Sequence, residues 1–214
     1  MLFRSVLESA IDGKLKVGRK GTSWYRITIH GRAAHAGLEP EKGVNATVEV
    51  ARIVNELTKL ENKSLGTSVV PTTMTSGTTT NTVPALATLD IDSRSFSLDE
   101  MQRIDSAIRS ITPIHPDARI EIAGGINRPP LETSATLPLY QLAEKLAKDA
   151  GISSLGSASV GGASDGNFAG QFTQVLDGLG AVGDGAHANH EHILASTLEP
   201  RSKLLTLLVN EILK

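Results

Sequence analysis

Two hydrophobic periods, one of about two residues and one of about three and a half, divide this chain into elements. Leu2, Phe3, Val6 and Leu7 fit a short strand that exits at Glu8. Asp12-Gly13 marks a turn, and residues 14–20 read as a basic connector. Residues 23–30, with Trp24, Tyr25, Ile27, Thr28 and Ile29, predict a strand. Between residues 44 and 60, Val44, Val48, Ala51, Val54 and Leu57 form a helical stripe. The Val- and Thr-rich stretch 67–80 predicts a strand that Pro71 confines to a sheet edge or interrupts. Over residues 85–96, Ala87, Leu89, Ile91 and Ser93 alternate with Thr88, Asp90, Asp92 and Arg94, the pattern of a half-buried strand.

Ser97-Leu-Asp-Glu100 predicts a capping box, with Ser97 accepting the Glu100 N–H and Glu100 reaching back. It opens a helix carrying Met101, Ile104, Ala107, Ile108 and Ile111 on one face and ending before Pro113. Residues 118–123 alternate as a last strand. The order β-α-β-β-α-β is that of a ferredoxin-like split βαβ unit, an antiparallel sheet with both helices on one face. Residues 124–130 read as a linker. A helix follows, with Leu139, Leu142, Ala143, Leu146, Ala147 and Ala150 on its stripe and Gly151 as its stop. Then come a Gly/Ser-rich loop at 161–167, a short strand or turn at 175–179, a His-rich stretch and a closing helix over 198–213. The fold class is therefore α/β in the broad sense, α+β in detail.

Composition narrows the function. The 214 residues are 40% hydrophobic and 21% charged, an ordinary globular balance. Aromatics are only 3%, so Val, Ile, Leu and Ala must build the core. A net charge of -2 gives no support for nucleic-acid or membrane binding, and no apolar run approaches a membrane span. There is no cysteine, so any metal must sit on His, Asp or Glu. The first residues lack the pattern of a signal peptide. A cytoplasmic location is expected, conditional on no such signal lying upstream. Met1 placed directly before a buried-type strand suggests a truncated chain.

Several residue groups carry candidate chemistry. His187-Ala-Asn-His190-Glu191-His192 offers imidazole and carboxylate donors of the kind zinc takes, although a polar surface loop accounts for it equally well. The spacing is not HExxH. Arg94 suits a bidentate carboxylate clamp or a solvated strand edge. Asn81-Thr-Val-Pro84 reads first as a turn. The loop Gly161-Gly162-Ala-Ser164-Asp165-Gly-Asn167 offers backbone N–H groups to an anion but matches neither phosphate-loop pattern, which makes nucleotide binding a distant alternative.

Taken in order, Gly31-Arg-Ala-Ala-His35-Ala-Gly37, Pro40, Gly43-Val-Asn45-Ala46, Asn81-Thr-Val-Pro84, Asp92-Ser-Arg94, Gly161-Gly-Ala-Ser-Asp165 and Gly185-Ala-His187 with Glu191 resemble one family. This is the di-zinc metallopeptidase family of glutamate carboxypeptidase, aminoacylase, acetylornithine deacetylase and succinyl-diaminopimelate desuccinylase. The resemblance is closest to the glutamate carboxypeptidase branch. It implies a ferredoxin-like lid and dimerisation domain, residues 17–124, inserted into part of a zinc-peptidase catalytic domain, residues 1–16 and 125–214. It further implies that Glu8 and His187 are metal ligands, one on each zinc. His35 would polarise the scissile carbonyl in a partner subunit's site. Asn81, Arg94 and the loop residues Gly161, Gly162, Ser164 and Asp165 would bind substrate, a small peptide or N-acyl amino acid.

In that family the remaining ligands and the general base lie upstream of the strand ending in Glu8, where this sequence has seven residues. The chain is thus expected to be the C-terminal part of a homodimeric hydrolase that cleaves an amide or peptide bond next to a free carboxylate. Alone, it is expected to bind zinc weakly and to be inactive. The rival expectation is a non-catalytic dimerisation or binding module.

Overall fold

The computed structural model describes residues 3–214; Met1 and Leu2, and with them the start of the first expected strand, lie outside the described residues. The chain forms two compact units, one of residues up to Lys20 together with Arg128–Lys214, the other Gly21–Asn127.

The second unit holds strands β3 (Gly21–His30), β4 (Ser68–Ser76), β5 (Leu86–Ser95) and β6 (Arg119–Arg128, whose last residue falls in the first unit), with helices α1 (Ala46–Leu57) and α2 (Leu98–Arg109). The sheet order is β4-β5-β3-β6, as the split βαβ pattern requires, and β5 pairs antiparallel with both β3 and β4. Register places Tyr25 opposite Ile91, Ile27 opposite Leu89 and Ile29 opposite Ala87, so these six share a face. Ala46, Val50, Ile53 and Leu57 from α1 and Ile104 and Ile108 from α2 close over it. A fully buried side chain of this kind is worth about 1.5–3 kcal/mol, and this one cluster holds both helices on one side of the sheet.

Local chemistry sets the ends of these elements. Asn45 caps α1, its side chain accepting the Thr47 and Val48 N–H groups at 2.9 and 3.3 Å. Pro71 does sit on an edge strand, where the β4 register slips between Pro71 and Thr73. Only half of the expected capping box forms. Ser97 accepts the Glu100 N–H at 3.5 Å, but the Glu100 carboxylate turns to Thr67 and Arg103, and the Ser97 N–H donates to Ser95 Oγ. The expected linker at 124–130 is in part strand: β6 runs on to Arg128, with Gly124 at φ +90 packed so closely that a Cβ would lie 2.1 Å from Trp24 O.

The first unit, besides β1 (Phe3–Ser5), contains β2 (Leu15–Arg19), α3 (Thr133–Ala147), β7 (Ser157–Val160), α4 (Gly166–Ala169), β8 (Gln174–Leu176), β9 (Gly183–Asp184), β10 (His192–Ile193) and α5 (Leu198–Ile212). β1 pairs parallel with β8, and β2 with β7. The basic stretch at 14–20 is therefore strand rather than connector. Its alternation is masked because Leu15, Lys16 and Arg19 are all buried, two of them charged. Leu139, Ala143, Leu204, Leu208, Leu15 and Leu176 form the core of this unit. Among the described residues no helix is long and apolar enough to cross a membrane.

Candidate functional site

In the second unit, His35 lies on the turn that follows β3. Gly31 lets that turn start, since a Cβ there would sit 2.1 Å from Val44 O. The turn then pairs with the segment before β5: Ala36 N–H donates to Asn81 O and Val83 N–H to Ala34 O, both at 2.8 Å. The fold thus brings His35 and Asn81 together through their backbones. The His35 ring is exposed, and its Nδ1 accepts two backbone N–H groups, from Gly37 and Leu38, each at 3.1 Å. An Nδ1 that accepts carries no proton, so the neutral ring has its hydrogen on Nε2 and presents a donor.

Arg94 is held differently. Its Nε and Nη2 donate to the two oxygens of Asp92 at 2.8 and 3.1 Å, and Trp24 Nε1 also donates to Asp92, at 3.2 Å. The Asp92 hydrogen bonds keep the Arg94 guanidinium above its ordinary pKa. Arg94 pairs with Thr22 at one end of β5, whereas Leu86, at the His35 end, pairs with His30. Eight strand residues at ~3.3 Å each separate these ends by about 26 Å. Within one unit, Arg94 and His35 do not meet.

In the first unit, Glu8 is exposed three residues beyond β1, and its carbonyl accepts the Gly180 N–H at 3.0 Å. His187 is exposed in the loop joining β9 to β10 and has φ +65, an unusual conformation for a residue with a Cβ. Zinc held by protein alone needs three or four converging donors. Among the described residues no group of three His, Asp or Glu is close enough together to hold a metal ion. The donors among the described residues do not by themselves fit a zinc centre. A cleft of about 320 Å³ in this unit is lined by Ser9, Asp12, Lys16, Asp184, Glu191 and His192, among others, but by neither Glu8 nor His187.

The glycine loop is anchored by a buried polar network absent from the sequence expectations. Arg19 donates to both oxygens of Asp177, at 2.7 and 3.1 Å, and through Nη1 to Gly162 O at 2.9 Å. Ser164 Oγ donates to Asp177 at 2.7 Å, and Ser164 N–H to Asn167 Oδ1 at 2.9 Å. Asn167 in turn donates to Pro129 O and Lys20 O. Ser164 is therefore buried and faces inward, while Gly161, Gly162 and Asp165 are exposed. Arg19 was readable only as part of the basic stretch 14–20 and Asp177 only as part of a short strand or turn at 175–179, so nothing local announced their pairing across 158 residues.

Residues 17–115 match a family model described as a peptidase dimerisation domain. Carboxypeptidase G2 of Pseudomonas sp. (strain RS-16) is 28% identical over 200 residues, covering 90% of this chain and 48% of that protein. Among solved structures, aminopeptidase PepT of Bacillus cereus superposes with a TM-score of 0.80 at 20% identity, over 98% of this chain and 57% of its own. A tripeptidase of Staphylococcus aureus gives 0.74 at 18%, with the same coverages. The chain thus spans about half the length of the proteins it matches. The matched segment and the fold agree: residues 17–115 match a peptidase dimerisation domain, and the chain shares the fold of part of these peptidase structures.

Proposed function

We propose that this chain is the C-terminal part of a zinc-dependent carboxypeptidase or amidohydrolase, which cleaves an amide or peptide bond beside a free carboxylate and works as a homodimer. The observation that carries this reading is the His35 ring. Its Nδ1 is tied to two backbone N–H groups, so Nε2–H stands ready to donate to a carbonyl oxygen as negative charge builds on it. Asn81 lies against the same turn. Arg94 is the carboxylate clamp, handed from Asp92 to the substrate. Since Arg94 and His35 occupy opposite ends of their unit, a substrate about the size of a dipeptide can touch both only if they come from two copies. The matched dimerisation domain supports that arrangement.

Glu8 and His187 would each contribute one donor to a metal centre completed by other parts of the parent protein, where zinc would supply an activated water. Exposed Gly161, Gly162 and Asp165 line the approach for substrate, with Ser164 fixing the loop from beneath.

A second reading, a non-catalytic dimerisation module, is favoured by the lack of a converging donor set among the described residues. Two measurements separate the readings. The 214-residue chain, dialysed and assayed for zinc and for hydrolysis of N-acyl-glutamate and dipeptides, is expected to be empty and inactive; stoichiometric zinc with turnover would overturn the fragment reading. The gene extended upstream is expected to give a zinc-dependent hydrolase, and an extended protein that dimerises without turnover would leave only the module.

A further inference from the structure

At an Asp-Gly step the glycine nitrogen can close on the aspartate side-chain carboxyl, because no Cβ shields it. This chain has four such steps, at Asp12-Gly13, Asp165-Gly166, Asp177-Gly178 and Asp184-Gly185. The fold gives each a different environment. Asp165 has helical backbone, φ −65 and ψ −19, and the buried Gly166 donates its N–H to Ser164 Oγ at 3.1 Å. The Gly178 N–H does reach Asp177 Oδ1, but Arg19 and Ser164 hold both Asp177 oxygens in a buried network. Neither oxygen can leave without breaking that network. Asp12 is exposed at φ +49, and among the described residues no hydrogen bond joins its carboxyl to the Gly13 N–H.

Asp184 is exposed on β9, and its Oδ1 accepts the Gly185 N–H at 2.7 Å. The reacting nitrogen and carboxyl are thus in contact beforehand, which removes much of the entropy cost of bringing them together. The fold also demands glycine here: φ is +78, and a Cβ would lie 2.7 Å from His190 Cδ2. We infer that Asp184-Gly185 is a site of spontaneous isoaspartate formation, a modification whose only co-reactant is water. The Gly185 nitrogen bonds to Asp184 Cγ, and one carboxyl oxygen leaves as water with the amide proton and a proton from solvent. Water then splits the bond from the Asp184 main-chain carbonyl carbon to the Gly185 nitrogen. The chain now runs through Cβ and Cγ, and the old main-chain carbonyl is a free carboxylate. The path from β9 to His187 gains a backbone atom, so the Asp184–His192 pairing loses its register. The modification does not rest on the hydrolase reading; only the loss of His187 as a metal ligand would.

The 214-residue chain is incubated at physiological temperature and neutral pH, folded and in urea, then digested and mapped by electron-transfer fragmentation, which separates isoaspartate from aspartate at equal mass. In the folded chain, isoaspartate is expected at residue 184 at least about tenfold faster than at 12, 165 or 177. In urea the four rates should converge, since each step then lies in an open chain. Asp184→Glu keeps the charge but must close a larger ring. It should rearrange at least about tenfold more slowly at 184 and leave the rate at 12 unchanged. A folded-state rate at 184 no higher than at 165 or 177, or the same ranking folded and in urea, overturns the proposal. Residue 12 ahead of residue 184 overturns it in favour of exposure alone as the cause.

Discussion

Arg19 grips Asp177 through two hydrogen bonds of 2.7 and 3.1 Å, with side chains 4% and 0% exposed. Breaking a buried pair costs more than the pair gains, because the remaining charge is left without a partner. Asp177→Asn is expected to destabilise the first unit by about 3–5 kcal/mol. It should also free Ser164 and Gly162, raising amide exchange across residues 161–167. An unchanged urea midpoint would mean that the network is ornamental.

His35→Ala should leave the fold intact, since the ring is exposed and packs into no core. The N–H groups of Gly37 and Leu38 lose their acceptor, a loss of about 1 kcal/mol confined to the turn. Thermal unfolding within a few degrees of wild type, together with faster exchange at those two amides, is the expected result. A substitution that unfolds the second unit would make His35 a structural residue.

Glu49 is buried on α1 and accepts the N–H groups of Ile114 and His115 at 3.0 and 2.8 Å. Burial pushes its carboxyl pKa up, but those N–H groups and Arg52 outweigh it and hold the pKa below the usual range. A depressed carboxylate pKa stabilises the fold above the ordinary value near ~4.3, and the benefit fades as pH falls through the folded one. Glu49→Ala should cost about 2–3 kcal/mol at neutral pH and less in acid. Equal losses at both pH values would contradict this account.

Tyr25 gives the alkaline counterpart. Burial, opposed by a hydrogen bond from Ser23 and reinforced by Asp105, raises its hydroxyl to about 12. An unfolded chain ionises the same group near ~10, so its contribution is full below that pH and is lost as pH rises through the folded value. The tyrosinate absorbance of the folded protein should show a late step that Tyr25→Phe removes. A single early step from a chain still folded would refute it.

The second unit was largely legible because its signals are local. Alternation in β5, the stripe on α2, Pro71 at an edge and Ser97 as a cap each follow from a few neighbouring residues. What escaped was set by distant partners. Glu100 prefers Thr67, 33 residues away, to its own helix N-terminus. β2 looked like a basic connector because Lys16 and Arg19 are buried by elements more than a hundred residues later. Among the candidate residues, the motifs named His35 and Asn81 separately, and only the structure brings their backbones together. Nor did the motifs show that Ser164 faces inward or that Arg94 is already held by Asp92.

The separation of Arg94 from His35 along β5 has a genetic consequence. In the proposed dimer, each reaction centre takes Arg94 from one copy and His35 from the other. An allele carrying His35→Ala and one carrying Arg94→Ala would each give an inactive homodimer alone. Expressed together, they would form mixed dimers with one of the two centres whole, so two null alleles of the parent gene would complement each other.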